Sequence, residues 1–389
     1  MISFDNTEIA FRSKSNRDLK RAYWLFKIIA SPSIVKIGKL VTNTALKLNL
    51  PIQRPVKATI FRQFCGGESI AECDDAIKKL GEFGIGTILD YSVEGKTSDE
   101  DFDQTVQIII DSLNRAKSDK NIPFGVFKVT GIGRFDLIEK ANNPKVEVSE
   151  SDRKEIEVIK GRIDKICKTA FENGVPVFID AEETWIQDAI DQWALEFMLK
   201  YNKEKAIVFN TIQMYRHDRL EFVKKCLDLA KANSIQYGIK LVRGAYMEKE
   251  RDRAEKMGYP SPIQPNKAAS DRDYNTALEF IIANAEVFAL CAGTHNEDSS
   301  LLLTSLLNKY GIAKNDERFY GAQLLGMSDH ISYNLADAGF NIAKYVPFGP
   351  IREVMPYLLR RADENTSVAG QTGRELSLIM KELKRRKVN

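Results

Sequence analysis

Polar and charged side chains stand at or near the ends of the apolar runs of this sequence. The set combines cations, an acid, two amides, two hydroxyls and an imidazole: Lys128, Asp180, Gln213, Lys240, Arg243, Thr294, His295, Asn296 and Tyr345. Taken singly, a strand-end acid is often a helix cap, and a lone lysine in a strand is often solvated. Taken together, such a concentration of groups predicts a binding or catalytic site.

A second chemical signal is the pair Arg360 and Arg361, within PYLLRRADEN at residues 356–365. At about 100° per residue, Arg360 falls opposite the apolar stripe of a predicted helix and Arg361 on its flank. This periodicity favours a solvated charged face, on which Glu364 could pair with Arg360 one turn away. The other interpretation is two guanidinium forks that hold a carboxylate. The stripe consists of Ile351, Val354, Met355, Leu358, Leu359 and Ala362.

Eight short runs rich in β-branched and aromatic residues predict strands, and stretches of helical period lie between them. Strands this apolar are typical of parallel sheets buried on both faces. Eight β-α units predict a (β/α)8 barrel, with its chemistry at the carboxyl ends of the strands; a doubly wound open sheet is the alternative. The predicted strands are 85–91, 123–129, 176–181, 206–212, 237–243, 287–293, 318–325 and 342–348, and the helices 100–117, 150–172, 184–202, 217–234, 267–285, 297–310, 328–338 and 350–364.

The sequence lacks the familiar phosphate-binding loops. It contains no G-x-x-x-x-G-K-[ST], and TGIGRF at 130–135 does not match G-x-G-x-x-G. A dinucleotide cofactor would therefore not be held by a Rossmann turn. Gly244 and Ala245 are small enough to let a flat ring or a pyrophosphate approach the backbone; an ordinary strand-to-helix turn is the alternative.

Composition is that of a globular protein, since the 389 residues are 43% hydrophobic. No apolar run approaches the roughly 20 residues of a membrane span, and the N-terminus shows no secretory signal. The five cysteines are scattered, which indicates a reducing compartment with buried free thiols. The three histidines are too dispersed for a metal-binding motif.

Positive charge is concentrated in residues 11–62, which carry twelve Lys or Arg and one acid, Asp18. The net charge of the whole chain is only +3, so the remainder is acidic. In this segment lysines are mixed with large apolar residues, as in a helix that lies on an anionic membrane surface. The alternative is a helical arm packed on the main domain with its basic face solvated. Nothing downstream adds a basic groove, which argues against nucleic acid.

Six longer segments resemble the proline dehydrogenase family, most closely its single-function members of eukaryotic type. The resemblance spans residues 60–370 and implies a (β/α)8 barrel that binds FAD noncovalently. It also implies oxidation of L-proline to Δ1-pyrroline-5-carboxylate, the first step of proline catabolism, by hydride transfer to flavin N5. A membrane quinone would then accept the electrons, and pyrroline-5-carboxylate dehydrogenase would be a functional partner. The segments are FIDAEETW, FNTIQMYR, KLVRGAYMEKER, THNEDS, QLLGMSDHIS and KYVPFGPIREVMPYLLRRADENTS.

The resemblance also implies roles for individual residues. Asp180 and Lys240 match catalytic positions, the first close to the substrate and the second near flavin N5. Bifunctional bacterial members have Arg in place of Lys240 and Lys in place of Arg243, whereas eukaryotic-type members share the order found here. Tyr345 implies proline as substrate, since hydroxyproline-oxidising relatives have a smaller residue there. The substrate positions are Lys128, Leu324, Tyr345, Arg360 and Arg361, and the cofactor positions are Gln213, Arg243, Gly244, Ala245, Thr294, His295 and Glu364.

The predicted division is an N-terminal basic arm at 1–68, a catalytic barrel at 69–370 and a C-terminal helical tail at 371–389. The expected location is a bacterial cytoplasm, with peripheral attachment to the inner membrane; the alternative is the mitochondrial inner membrane. Two rival functions predict other chemistry. One is a Schiff-base lyase that uses Lys128 or Lys240, and the other is an inert barrel that serves as a membrane-surface scaffold.

Overall fold

The computed structural model describes residues 2–48, 51–93, 95–367 and 371–388, without the side chains of residues 32, 43–47, 363–367 and 371–372. The chain forms two compact units. Unit 1 consists of Met1–Glu94 and Gln323–Asn389, and unit 2 of Gly95–Ala322. The predicted division into arm, barrel and tail stays a prediction.

Eight parallel strands form a closed barrel in chain order, which confirms the predicted (β/α)8 fold and excludes the open sheet. Nearly every strand residue is buried, which explains why these segments are apolar along most of their length. All eight predicted strands are present, with bounds that differ by at most two residues. They are β1 (Ile85–Tyr91), β2 (Phe124–Lys128), β3 (Val177–Asp180), β4 (Val208–Gln213), β5 (Tyr237–Val242), β6 (Phe288–Gly293), β7 (Phe319–Leu324) and β8 (Ile342–Phe348).

Helices follow the strands and also form both ends of the described chain. The eight predicted helices are present, and the described part of the predicted barrel region contains three more, Asp74–Gly81, Phe135–Asn142 and Met247–Met257. A π-helical segment, Lys57–Phe61, lies between two short helices, Gln53–Val56 and Arg62–Phe64. The helices are α1 (Thr7–Ala10), α2 (Asn16–Ile29), α3 (Pro32–Lys47), α4 (Gln53–Val56), α5 (Arg62–Phe64), α6 (Asp74–Gly81), α7 (Asp99–Lys117), α8 (Phe135–Asn142), α9 (Glu150–Asn173), α10 (Thr184–Tyr201), α11 (Arg219–Asn233), α12 (Met247–Met257), α13 (Lys267–Ala283), α14 (Glu297–Lys309), α15 (Asp329–Asp337), α16 (Met355–Ser367) and α17 (Gln371–Arg385).

Side-chain caps explain where several helices begin. Ser15 and Asp18 form a reciprocal capping box at the start of α2, and Ser149 and Asp152 form another at the start of α9. Asn296 accepts a hydrogen bond from a backbone N–H in the first turn of α14. The side chain of Asn296, which the sequence places among the candidate site residues, therefore serves as a helix cap.

The N-terminal helices of unit 1 pack on its C-terminal helices. One buried cluster joins α2, Phe61 and Phe64 to the start of α16. One face of α2 is thus packed, as in the packed-arm interpretation. Another side of α2 and much of α3 expose large apolar residues: Trp24, Ile28, Ile34, Ile37, Leu40 and Val41. The cluster that joins α1 and α2 to α17 contains Ala10, Phe11, Leu19, Ala22, Phe26, Leu378 and Ile379.

The loop between β7 and α15 has an unusual backbone. Gly326 has φ +77°, and an ideal Cβ added to it would lie 2.1 Å from the carbonyl oxygen of Gln63. The Gln63 side chain donates from Nε2 to the Gly326 carbonyl oxygen at 2.9 Å. Glycine is therefore required at this position, both for the left-handed φ and for the close approach of α5.

Replacing Gly326 by Ala tests this requirement. The left-handed backbone costs about 1–2 kcal/mol for an L-residue, and the clash with Gln63 adds to that cost. Gly84→Ala is a matched control, since Gly84 has φ +71° and an added Cβ would meet no described atom within 4 Å. Urea unfolding should show a clearly larger loss of stability for Gly326→Ala. Equal losses in the two variants would contradict the clash.

Candidate active site

In unit 2, Asp180 at the carboxyl end of β3 lies between two lysines. Lys240 of β5 places Nζ 2.5 Å from one carboxylate oxygen, and Lys128 at the end of β2 places Nζ 3.4 Å from the other. Asp180 and Lys240 are only 8% and 7% exposed. Lys128 is the register neighbour of Asp180, whereas Lys240 reaches it across β4. Three predicted site residues are therefore in direct contact.

The Asp180 carboxylate is held in its ionised form. Burial alone would raise the pKa of Asp180, but Lys240 and Lys128 outweigh burial and lower that pKa below its ordinary value. The three residues together carry more positive than negative charge. A surplus of positive charge around a buried carboxylate is suited to bind a further anionic group such as a carboxylate.

Glu182, two residues after Asp180, is a further buried acid at the strand ends. Thr130 donates its N–H to one carboxylate oxygen at 3.1 Å and its hydroxyl to the other. Gln213, at the end of β4, donates from Nε2 to the Glu182 carbonyl oxygen at 3.0 Å. Burial outweighs the hydrogen bonds from Thr130 and raises the pKa of Glu182 to about 7. Glu182 therefore links the segments after β2 and β3 with the last residue of β4, and its carboxyl group titrates near neutral pH.

Arg243, directly after β5, is held by three partners. It donates hydrogen bonds to Asp271 at 2.6 Å, to the Thr294 hydroxyl at 2.8 Å and to the Ser299 hydroxyl at 2.9 Å. Its guanidinium carbon also lies 4.3 Å from the centroid of the Tyr274 ring. Two predicted cofactor residues, Arg243 and Thr294, are thus in contact, and Asp271 and Ser299 fix the guanidinium group.

Gly244 and Ala245 form the exposed turn after β5. Gly244 has φ +127°, and an added Cβ would lie 2.5 Å from the ring of Tyr215. The turn therefore requires glycine for its own geometry. Its exposed backbone also remains accessible to a ligand. His295, between β6 and α14, is half-buried.

In unit 1, Leu324 ends β7 and Tyr345 lies within β8. Leu325 donates its N–H to the carbonyl oxygen of Tyr345 at 2.8 Å. Tyr345 is buried, and Leu324 packs against the apolar cluster that includes the start of α16. Backbone pairing therefore keeps these two predicted substrate residues close together.

Arg360 and Arg361 lie in α16, which begins at Met355 rather than at the predicted residue 350. Arg361 is 7% exposed, and its guanidinium carbon lies 5.0 Å from the centroid of the Tyr357 ring. A solvated position is therefore excluded for Arg361, whereas Arg360 is half-buried. The Glu364 side chain lies outside the described part of the chain, so its pairing with Arg360 stays a prediction.

Several residues that form contacts in these clusters were not identified from the sequence. Glu182 stands in the same FIDAEE segment as Asp180, and its place just beyond a strand end is a usable signal. Asp271 and Ser299 lie inside α13 and α14, and no local pattern connects them with Arg243.

All five cysteines are buried and unpaired. Among the described residues, no group of three His, Cys, Asp or Glu side chains could hold a metal ion.

Replacing Glu182 by Gln tests the near-neutral titration. Since the pKa of Glu182 rises from 4.5 to about 7 on folding, the folded protein binds more protons in this pH range. The wild type should therefore lose stability relative to the variant as pH rises through the window, by up to about 3 kcal/mol. Urea unfolding of both proteins between about pH 5 and pH 8 measures this difference. A constant difference across the range would contradict it.

Comparison with known proteins identifies the family. A family model described as proline dehydrogenase matches residues 73–374. The chain is 34% identical to proline dehydrogenase 1, mitochondrial, of Dictyostelium discoideum, over 98% of this chain and 74% of that protein. It is 29% identical to the hydroxyproline dehydrogenase of Xenopus laevis, over 100% of this chain and 91% of that protein.

The fold is also similar to a solved structure, that of proline utilization A (PutA) from Bdellovibrio bacteriovorus inactivated by N-propargylglycine. The TM-score is 0.72 at 21% identity, over 94% of this chain and 37% of that one. The chain thus spans little more than a third of PutA, and this likeness supports the fold alone. The resemblance found in the motifs is confirmed by the family model, which excludes the lyase and the inert scaffold. This chain belongs to the proline dehydrogenase family, whose members are flavin-dependent oxidoreductases.

Proposed function

We propose that this protein oxidises L-proline to Δ1-pyrroline-5-carboxylate, the first step of proline catabolism. The observation that carries the proposal is the contact of Lys128 and the buried Lys240 with the buried Asp180, in a chain of the proline dehydrogenase family. The reaction removes a hydride from the ring carbon beside the nitrogen and a proton from the nitrogen. Surplus positive charge disfavours the protonated amine, and the neutral amine releases hydride more readily.

In unit 2, Lys128 contributes to binding the substrate carboxylate. Asp180 stays ionised between the two lysines and limits the positive charge of the site. Lys240 stabilises the negative charge that develops in the hydride acceptor. The contacts of 2.5 Å and 3.4 Å to Asp180 support these roles, because they fix both ammonium groups before the substrate arrives.

In unit 1, Arg360 and Arg361 are proposed to bind a carboxylate group through their guanidinium forks. Leu324 and Tyr345 pack on the proline ring and orient the reacting carbon. The burial of Arg361 against Tyr357 supports its role, since a partly desolvated guanidinium group binds an anion more strongly than a solvated one.

FAD is the proposed cofactor; when bound, it accepts the hydride at N5 and passes the electrons to a membrane quinone. Gln213 fits such a ligand, because its buried Oε1 has no hydrogen-bond partner among the described residues. Arg243 is held rigidly by Asp271 and offers a fixed cation to an anionic part of the cofactor. The other residues proposed to hold FAD are Gly244, Ala245, Thr294, His295 and Glu364.

A visible spectrum recorded without oxygen, before and after addition of L-proline, tests the proposal. Flavin absorption bands that bleach when proline is added are expected. Bands that persist would keep the cofactor but overturn proline as the substrate. A colourless protein that cannot be reconstituted with FAD would overturn the proposal as a whole.

Two further measurements follow the flavin bands while the amino acid is added in steps. Arg361→Ala should raise the proline concentration needed for half-bleaching at least about tenfold, since a charge-assisted bidentate contact is lost, while the flavin stays bound. Hydroxyproline should leave the bands of the wild type unchanged, because Tyr345 occupies the space that its hydroxyl group needs. Equal bleaching by both amino acids would favour a second function, the hydroxyproline oxidation named in the Xenopus relative.

We also propose that residues 11–62 contact a membrane surface, where the quinone is reduced. The exposed apolar residues of α2 and α3 support this contact, and exposed lysines such as Lys20, Lys27 and Lys36 accompany them. None of the described helices is both long and apolar enough to cross a bilayer. The Dictyostelium relative is named as mitochondrial, which favours the mitochondrial inner membrane over a bacterial inner membrane. Pyrroline-5-carboxylate dehydrogenase remains the proposed functional partner.

Sedimentation with phospholipid vesicles tests the membrane contact. The wild type should bind anionic vesicles more tightly than neutral ones. The double variant Ile37→Glu/Leu40→Glu should bind at least about tenfold more weakly, because two exposed apolar side chains become acidic. Phe171→Glu/Met257→Glu is the matched control, since it alters two exposed apolar residues of unit 2. Equal binding by the two double variants would contradict a contact through α3.

A further inference from the structure

A second buried charge cluster lies in unit 1 and takes no part in the chemistry proposed above. At its centre is Asp329, the first residue of α15, which pairs with Lys344 of β8 at 2.9 Å and with Lys14 at 3.1 Å. Glu375 of α17 lies beside it and accepts a hydrogen bond from the N–H of Ser328. Lys344 is fully buried, at 0% exposure. Segments near both ends of the chain therefore meet at this cluster.

Lys344 makes three polar contacts, which match the three donors of its ammonium group. Besides pairing with Asp329, it donates to the carbonyl oxygen of Leu324 at 3.3 Å and to that of Met327. These partners lie at the end of β7, within the following loop and at the start of α15. A single side chain of β8 thus contacts the residues on both sides of the loop 325–328 and one residue within it.

The loop has a backbone that needs such support. Gly326 and Ser328 have φ of +77° and +51°, and the second value is uncommon for a residue other than glycine. Glu375 accepts the Ser328 N–H, and Gln63 donates to the Gly326 carbonyl oxygen. Strained backbone persists only where its surroundings hold it, and Lys344 supplies that restraint from β8.

The cluster lies next to the proposed substrate residues of the same unit. Lys344 and Tyr345 are consecutive in β8, so their side chains point to opposite faces. The Leu324 carbonyl oxygen accepts from Lys344, while the next N–H, that of Leu325, donates to the Tyr345 carbonyl oxygen. Lys344 therefore contacts the backbone that carries Leu324, on the face of β8 opposite the Tyr345 side chain.

We propose that Lys344 is a positioning residue for proline binding, which fixes the backbone of Leu324 and of the loop 325–328. This inference rests on the proposed function, in which Leu324 and Tyr345 contact the proline ring. A neutral side chain of similar size would leave the Leu324 and Met327 carbonyl groups without this donor. The loop would then relax, and proline would bind more weakly while the chemical step changes little.

A competing explanation is that Lys344 only compensates the buried charge of Asp329. Removal of one member of a buried ion pair is destabilising because the other charge loses its partner. The double variant Lys344→Met/Asp329→Asn removes both members of this pair. Lys14, the other partner of Asp329, then loses its counter-charge, so Asp329→Asn alone is measured as the reference for the double variant. The double variant still lacks the donor to Leu324 and Met327, and therefore separates positioning from charge compensation.

Steady-state kinetics of the wild type, Lys344→Met, Asp329→Asn and the double variant, with proline and an artificial electron acceptor, test the proposal. The KM for proline should be about tenfold higher in Lys344→Met than in the wild type, and about tenfold higher in the double variant than in Asp329→Asn, with kcat changed less than about threefold. The FAD content, read from the visible spectrum, should stay unchanged. A KM in the double variant equal to that of Asp329→Asn would overturn the proposal, since Lys344 would then act only as a counter-charge.

Two further variants serve as controls. Arg162→Met removes a buried cation of unit 2 that donates to Asp99 and Asp103 at 2.8 Å each, so it should lower thermal stability and leave KM unchanged. An equal rise of KM there would reduce the Lys344 effect to general destabilisation and overturn the proposal. Leu324→Ala should raise KM; if it does not, the substrate role of Leu324 fails first. If Leu324→Ala raises KM and Lys344→Met does not, the positioning role alone fails.

Discussion

Parallel pairing of eight strands in a closed ring is the constraint on which the rest of the structure depends. A strand in such a ring is hydrogen-bonded on both edges and covered on both faces, so its interior positions are mostly apolar. Polar groups are accordingly concentrated at the carboxyl ends of the strands. Lys128, Asp180 and Gln213 end the consecutive strands β2, β3 and β4. The fold thereby brings together side chains that are about 85 residues apart in the chain.

A buried lysine within a strand needs a negative counter-charge. Lys240 and Lys344 each pair with an aspartate that a second lysine also contacts. Lys240 and Lys128 flank Asp180, while Lys344 and Lys14 flank Asp329. Burial raises the pKa of each aspartate, but the two lysines outweigh burial and keep that pKa low. The two clusters differ in what the remaining hydrogen-bond donors of the lysines can bind. Those of Lys344 bind backbone carbonyl groups, whereas the surplus charge around Asp180 is suited to a substrate carboxylate.

The N-terminal helices are packed on one face and exposed on another. Phe11, Leu19 and Phe26 are buried against α17, and Arg386 donates hydrogen bonds to the carbonyl oxygens of Phe11 and Lys14. Another side of α2, with Trp24 and Ile28, is exposed. A helix that is apolar on more than one side can pack on its own protein and still offer a surface to a second apolar phase. Composition alone could not separate these two faces.

The sequence by itself determined the eight strands, the barrel, the family and the strand-end positions of Lys128, Asp180 and Gln213. It could do so because strands buried on both faces are apolar throughout, a signal contained in each short segment. Only the tertiary structure decided the burial of Arg361, since periodicity describes one helix and not the elements that cover its other side. The same holds for the contact of Lys240 with Asp180 and for the partners of Lys344. These pairings depend on distances between segments far apart in the chain, and no local pattern encodes such distances.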